Sequence, residues 1–317
     1  MRIAVFGAGG IGGYFGGRLA LAGAEVHLIA RGPHLRALRE HGLRVRSVRG
    51  DFATAVHAAD DPVDVGACDC VLFCVKAYDT DEAAEGLSPL LQEETAVVSL
   101  QNGVDNEDKL AAAIGEHHVL GGAAYVFASV AEPGVIAHTG GVGALVFGEL
   151  DGSLSERGER LRDLCVEAGI PAELVADIRA RLWQKFAFIC AQAGITTTGR
   201  VPIGQIRQTP ETWQLYGRII DEVTALAAAE GVPLAPELAT APSAWARSLE
   251  PTAFSSLYDD LVGGRRMELE ALHGFVVRRS REHGLRAPVS EVIYALLRPQ
   301  ALHNEAGQQH GRSGAVS

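Results

Sequence analysis

Three glycines carry the first chemistry in this chain. Gly7, Gly9 and Gly12 fit the pattern G-x-G-x-x-G, directly after the short apolar run 2–6 and before a helical pattern beginning near Ile11. In that context each glycine has a distinct role. Gly7 makes a tight turn, Gly9 lets backbone approach a pyrophosphate, and Gly12 lets helix and strand pack closely. The helix that opens at Gly10 and Ile11 presents free N–H groups and a partial positive charge to phosphate oxygens. The second strand of such a unit ordinarily ends in Asp or Glu, which takes the ribose 2′-hydroxyl of NAD. Here it ends Leu28-Ile29-Ala30 and Arg31 follows. A cation in place of the acid points to a 2′-phosphate, so NADP(H) is the expected cofactor. Lys76 and Asn102 fall at the carboxyl ends of two further strands, where open parallel sheets bind ligands.

The elements that position these residues read as alternating strands and helices. Strands are expected at 2–6, 25–30, 70–75 and 95–100, and helices at about 11–22, from 79, and at 106–114. This alternation predicts an α/β Rossmann-type doubly wound sheet. Residues 119–148 are rich in glycine and turn signals and read as antiparallel strands finishing the sheet. A helix at 154–168 and a strand near 172–175 close this first domain, 1–175. Asp177 then reads as the N-cap of a long helix to about residue 193. A loop is expected over 196–204. Further helices are expected at 209–230, 254–262, 267–283 and 289–299, so the second domain, 176–300, reads as all-helical. Residues 301–317 read as a polar tail.

Composition limits what this fold can serve. The 317 residues are 47% hydrophobic and 21% charged, with 28 basic and 39 acidic side chains and a formal net charge of −11. A polyanion is repelled by that balance, so no nucleic-acid partner is expected. No apolar run is long enough for a membrane span. The five cysteines form no Cys-x-x-Cys. Cys68, Cys70 and Cys74 fall in or beside one strand as small hydrophobes, so no metal site is expected and a reducing, cytoplasmic setting is.

In order along the chain, the glycine motif with Arg31, then Val75-Lys76-Ala77, Gln101-Asn102-Gly103, Pro133-Gly134 with His138-Thr139-Gly140, Leu182-Trp183-Gln184-Lys185, and Ser255-Ser256-Leu257 with the run Glu268 to Gly274 resemble the ketopantoate reductase (2-dehydropantoate 2-reductase) family. The resemblance spans residues 1 to about 298. It implies NADPH-dependent reduction of a 2-oxo acid to a 2-hydroxy acid. It further implies that Lys185 donates the proton to the forming alkoxide and that Glu268 contacts the substrate hydroxyl or that lysine. By the same resemblance Ser256 binds substrate, and Asn102 and Lys76 line the nicotinamide and substrate site. The chemistry is coherent: hydride attack puts negative charge on the carbonyl oxygen, and a positioned cation or acid stabilises it. Trp183, Phe186, Phe188 and Ile189 around Lys185 predict a largely buried lysine, and desolvation favours its neutral form. The resembling enzymes carry asparagines four and eight residues after the lysine. Ile189 and Ala193 stand there instead, which favours a more apolar substrate. A paralogous reductase for a different 2-oxo acid or carbonyl compound, and a catalytically silent NADP(H)-binding regulator, are the other readings. A homodimer through helical surfaces is the assembly leaned towards.

Overall fold

The computed structural model describes residues 1–313. It divides into two compact units, Met1–Gln101 with Asp105–Arg179, and Asn102–Val104 with the chain from Ala180 onward.

The first unit is built on β1 (Arg2–Phe6), α1 (Gly10–Leu21), β2 (Glu25–Ile29), α2 (Gly32–His41), β3 (Leu43–Ser47), β4 (Phe52–Thr54), β5 (His57–Ala59), β6 (Cys70–Phe73), α3 (Thr80–Glu85), β7 (Ala96–Ser99), α4 (Asn106–Ile114), β8 (Val119–Glu132), β9 (Val135–Glu149), α5 (Glu156–Glu167) and β10 (Ala172–Leu174). The ten strands form one sheet in the order β4-β3-β9-β8-β7-β6-β1-β2-β5, with β10 beside β9. Every pair is parallel except β3/β4 and β8/β9. The central strands alternate between two cores, as a sheet covered on both faces must. Ile3, Val5, Leu28, Leu72 and Val98 face one, while Ala4, Phe6, Ile29, Val71 and Phe73 face the other. The expected Rossmann-type sheet is therefore present. The arginine-rich stretch after Arg31, for which the sequence predicts no element, holds α2, β3, β4 and β5. There Leu35, Leu38, Leu43 and Val45 turn inward and the arginines turn out, a periodicity that the density of charge obscures.

The second unit is helical: α6 (Ile178–Gly199), α7 (Ile203–Gln208), α8 (Pro210–Ala229), α9 (Pro236–Ser248), α10 (Ser256–Val262), a π-helical turn Glu270–Gly274, α11 (Phe275–Glu282) and α12 (Pro288–Ser313). Three features differ from the sequence expectation. First, α6 runs on to Gly199, through most of the expected loop. Its Thr196 hydroxyl bonds back to the Gln192 carbonyl at 2.6 Å, so a β-branched run is held in the helix. The helix stops only where Arg200 takes φ +53°. Second, α9, which carries Pro236 and Pro242, is absent from the expected helices. Pro236 opens the helix, where its missing N–H costs nothing. Third, the expected tail 301–317 is helix as far as Ser313, and the remaining four residues lie outside the described residues. Ala301 and Asn304 are buried, and the Asn304 amide donates to the carbonyls of Arg265 at 2.9 Å and Asp260 at 3.3 Å. Among the described residues no helix is long and apolar enough to cross a membrane.

Candidate active site

Parallel register places the ends of four strands in one row of the first unit. Phe6 pairs with Ile29 and with Phe73, and Phe73 pairs with Ser99. The segments that follow these residues carry Gly7 to Gly12, Arg31, Lys76 and, after β7, Gln101-Asn102-Gly103. The carboxyl edge of the sheet therefore gathers Gly7 to Gly12, Arg31 and Lys76, the residues the sequence singles out in this unit.

The glycine turn has the geometry its spacing demands. Gly7 has φ +100°, and the N–H groups of Gly7 and Ala8 both donate to the Ile29 carbonyl, at 3.3 and 3.0 Å. A Cβ at Gly12 would stand 2.3 Å from the Gly7 carbonyl oxygen, and one at Gly10 would stand 2.1 Å from that of Ala128 on β8. A Cβ at Gly9 would meet nothing within 4 Å. Gly10 and Gly12 are thus closed by packing while Gly9 opens outward, as a seat for a pyrophosphate requires. Gly9 is also the N-cap of α1, so Gly10, Ile11 and Gly12 supply the first N–H groups of that helix.

Arg31 stands at the N-cap of α2, exposed, with its guanidinium in no hydrogen bond or ion pair among the described residues. Its neighbour Arg39 is by contrast engaged by Asp60 at 2.9 Å and by the Ala58 carbonyl. An uncommitted cation beside a helix N-terminus suits a 2′-phosphate. Lys76 is half-buried and precedes a short 3-10 turn, Ala77–Asp79. Close by in the chain lies a polar relay with no signature in the sequence. The Gln101 amide donates to the Thr80 hydroxyl at 2.7 Å, and that hydroxyl is in turn 3.2 Å from the Asn106 side-chain oxygen. These bonds brace the β7–α4 connection next to Asn102.

Asn102 itself belongs to the second unit, where Val104 packs against the helical core. Lys185 and Glu268 belong to that unit too, and each is only 7% exposed. The aromatic residues around Lys185 are core, as expected. Trp183 and Phe186 both pack on Phe275 of α11, with ring centroids 6.2 and 5.8 Å away. Phe275 follows the π turn, and Glu268 lies just before it. A second clip fixes the same pair of segments: the buried His273 ring donates from Nε2 to the Cys190 carbonyl at 3.0 Å. Burial pulls the His273 pKa down to about 4, so the ring stays neutral. π turns recur at functional sites. This one has no signature in its residue types, so neither it nor His273 is visible to sequence reasoning.

Ser256 is the first residue of α10 and is exposed. The buried serine is its neighbour Ser255, which caps α10 through the Tyr258 N–H and meets the hydroxyls of Thr196 and Thr197. Ile189 is half-buried and Ala193 buried, so the two positions expected to carry amides offer no hydrogen-bonding group. Phe188, beside Ile189, meets Trp245 of α9 edge-on at 5.9 Å. Gln192 lies seven residues after Lys185, about 20° away around the helix, and both atoms of its buried amide lack a partner among the described residues. Among the described residues no three His, Cys, Asp or Glu side chains cluster to hold a metal.

Comparison with known proteins bears on both units. The family model described as ketopantoate reductase PanE/ApbA matches residues 3–152, and that of its C-terminal region matches 177–301. An uncharacterised oxidoreductase, YkpB, of Bacillus subtilis is 34% identical over 303 residues, covering 94% of this chain and 98% of that protein. A 2-dehydropantoate 2-reductase of Archaeoglobus fulgidus is 33% identical over 299 residues, covering 94% and 97%. The crystal structure of a PanE/ApbA family ketopantoate reductase from Ralstonia eutropha JMP134 superposes with a TM-score of 0.88 at 35% identity, covering 96% of this chain and all of that one.

Proposed function

This chain belongs to the ketopantoate reductase family, a family of oxidoreductases, and on that premise we propose that it reduces a 2-oxo acid to a 2-hydroxy acid with NADPH. The observation that carries the reading is Lys185, a lysine only 7% exposed on a helix flanked by aromatic core. Burying a lysine is costly, and its position matches the family's proton donor. NADPH, when bound, supplies the hydride. The chain's own residues do the rest. The Gly7–Gly12 turn and the N-terminus of α1 hold the pyrophosphate, and Arg31 takes the 2′-phosphate. Lys185 delivers a proton to the carbonyl oxygen as charge builds there. Glu268 holds the substrate hydroxyl or the lysine, and Asn102 and Ser256 contact substrate.

2-Dehydropantoate is the substrate the family points to. A second reading has its own support: Ile189, Ala193 and the Phe188–Trp245 pair present apolar surface near the lysine's helical face. A hydroxyl buried against Ile189 and Ala193 gains no hydrogen bond from those side chains, and leaving one unpaired costs about 1–3 kcal/mol. They favour a 2-oxo acid with an apolar substituent. The deciding experiment follows NADPH oxidation by absorbance against 2-dehydropantoate and a series of 2-oxo acids with alkyl and aryl side chains. Turnover of 2-dehydropantoate with the highest kcat/KM supports the first reading, and preference for the apolar series the second. NADPH binding without turnover of any member would leave a cofactor-binding regulator instead.

A further inference from the structure

His34 lies in the first turn of α2, three residues after Arg31. Its ring is half-buried and touches two segments far apart in sequence. Nε2 is 2.9 Å from the Ala8 carbonyl oxygen inside the glycine turn, and Nδ1 is 3.0 Å from the Gly134 nitrogen at the tip of the β8–β9 hairpin. A carbonyl can only accept and a backbone N–H can only donate. Both contacts therefore require a neutral ring with its proton on Nε2. Burial holds the pKa of His34 below the usual histidine range, which keeps the ring in that form.

The bond to Ala8 has a consequence for Gly9. In a trans peptide the C=O of one residue and the N–H of the next point in opposite directions, and no peptide in this chain is cis among the described residues. With the Ala8 carbonyl turned onto His34, the Gly9 N–H is turned the other way. No acceptor among the described residues takes that N–H, and a Cβ at Gly9 would meet nothing within 4 Å. Rotation of the same peptide would swing the Ala8 carbonyl dipole to the side where a phosphate must sit.

We propose that His34 is a positioning residue for the dinucleotide: its Nε2–H fixes the Ala8–Gly9 peptide so that an N–H, not a carbonyl, meets the pyrophosphate. The inference rests on reading the glycine turn as the cofactor seat. The pyrophosphate is common to NADH and NADPH, so His34 acts on both, whereas the 2′-phosphate contact acts on one.

Two substitutions separate the ring's two contacts. His34→Gln places an amide N–H near the Nε2 position and keeps the donor to Ala8. His34→Asn reaches only the Nδ1 position, keeping an acceptor for Gly134 and losing the donor. Each loses one hydrogen bond, so their melting temperatures are expected to fall alike. Dissociation constants for NADPH and NADH are read from quenching of tryptophan fluorescence in the full-length protein. His34→Gln is expected to stay within about threefold of wild type, and His34→Asn to weaken both dinucleotides by about tenfold, the worth of one hydrogen bond. Equal affinities in the two variants, or an effect of His34→Asn on NADPH alone, would overturn the proposal. Failure of the wild-type protein to bind either dinucleotide would overturn the cofactor reading itself, and the role of His34 with it.

Discussion

A buried amine is an expense that a fold carries only for a reason, and Lys185 is held by packing on both sides. Trp183 and Phe186 lock the helix around it onto Phe275, so its place in the helix cannot drift without opening the core. Lys185→Ala therefore removes the proposed acid without removing a scaffold. Single-turnover and steady-state kinetics are expected to show kcat lowered by about 100-fold or more, with the NADPH dissociation constant within about threefold of wild type. An unchanged kcat would mean that another group protonates the product. Arg31 is tested by selectivity. Its guanidinium serves no internal partner among the described residues. Arg31→Ala is expected to weaken NADPH about tenfold, the worth of one charged contact, and to leave NADH and the melting temperature unchanged. Equal losses for both cofactors would remove the 2′-phosphate assignment. The burial of Lys185 is legible in the sequence because its signal is local, a lysine among aromatics; Arg31 is singled out by an equally local signal, a cation where an acid is usual. His34 is not, because its meaning depends on Gly134, far along the chain.

Elements are read from sequence when their periodicity is undisturbed. The strand β6, apolar throughout, and the glycine turn before α1 satisfy that condition. By contrast, α9 hides behind two prolines, and the end of α12 hides behind a polar composition that normally marks a frayed tail. What holds that end is a side chain bonding to backbone far from it. The Asn304 amide reaches the last carbonyls around α10, where Arg265 and Asp260 accept its protons. Helix C-termini leave four carbonyls without intrahelical partners, so this amide replaces water at a buried end. Asn304→Ala is expected to lower the urea-unfolding free energy by about 1–2 kcal/mol, with dinucleotide affinity unaltered because the residue is remote from the Gly7–Gly12 turn in sequence and belongs to the other unit. Replacement by leucine is expected to cost at least as much, since the Arg265 carbonyl loses its donor while that of Asp260 keeps the Arg265 N–H at 2.8 Å. A change below about 0.5 kcal/mol in both variants, the size of an ordinary surface substitution, would show that α12 is held by its apolar face alone.

For the molecule as a whole, two buried titratable groups, one in each unit, tie stability to pH with opposite sign. In the first unit burial raises the Glu107 carboxyl to about 7, and one of its oxygens lacks a partner among the described residues. Below its ordinary value of 4.5 the carboxyl is protonated whether folded or unfolded. Between 4.5 and about 7 the folded state holds the proton that the unfolded state has released, so stability falls as pH rises. In the second unit His273 is depressed to about 4. The unfolded state takes up that proton first, below its ordinary 6.5, so stability is lost as pH falls from there towards 4. Over the overlapping window the two slopes oppose each other. Glu107→Gln removes one of them and leaves the other. Relative to wild type, Glu107→Gln is expected to gain up to about 3 kcal/mol near pH ~8 in urea titrations, with the gain shrinking to nothing near pH ~4. Glu107 lies near the start of α4. A gain of the same size at both ends of that pH range would show that the amide merely packs better, and that the carboxyl holds no proton in the folded protein.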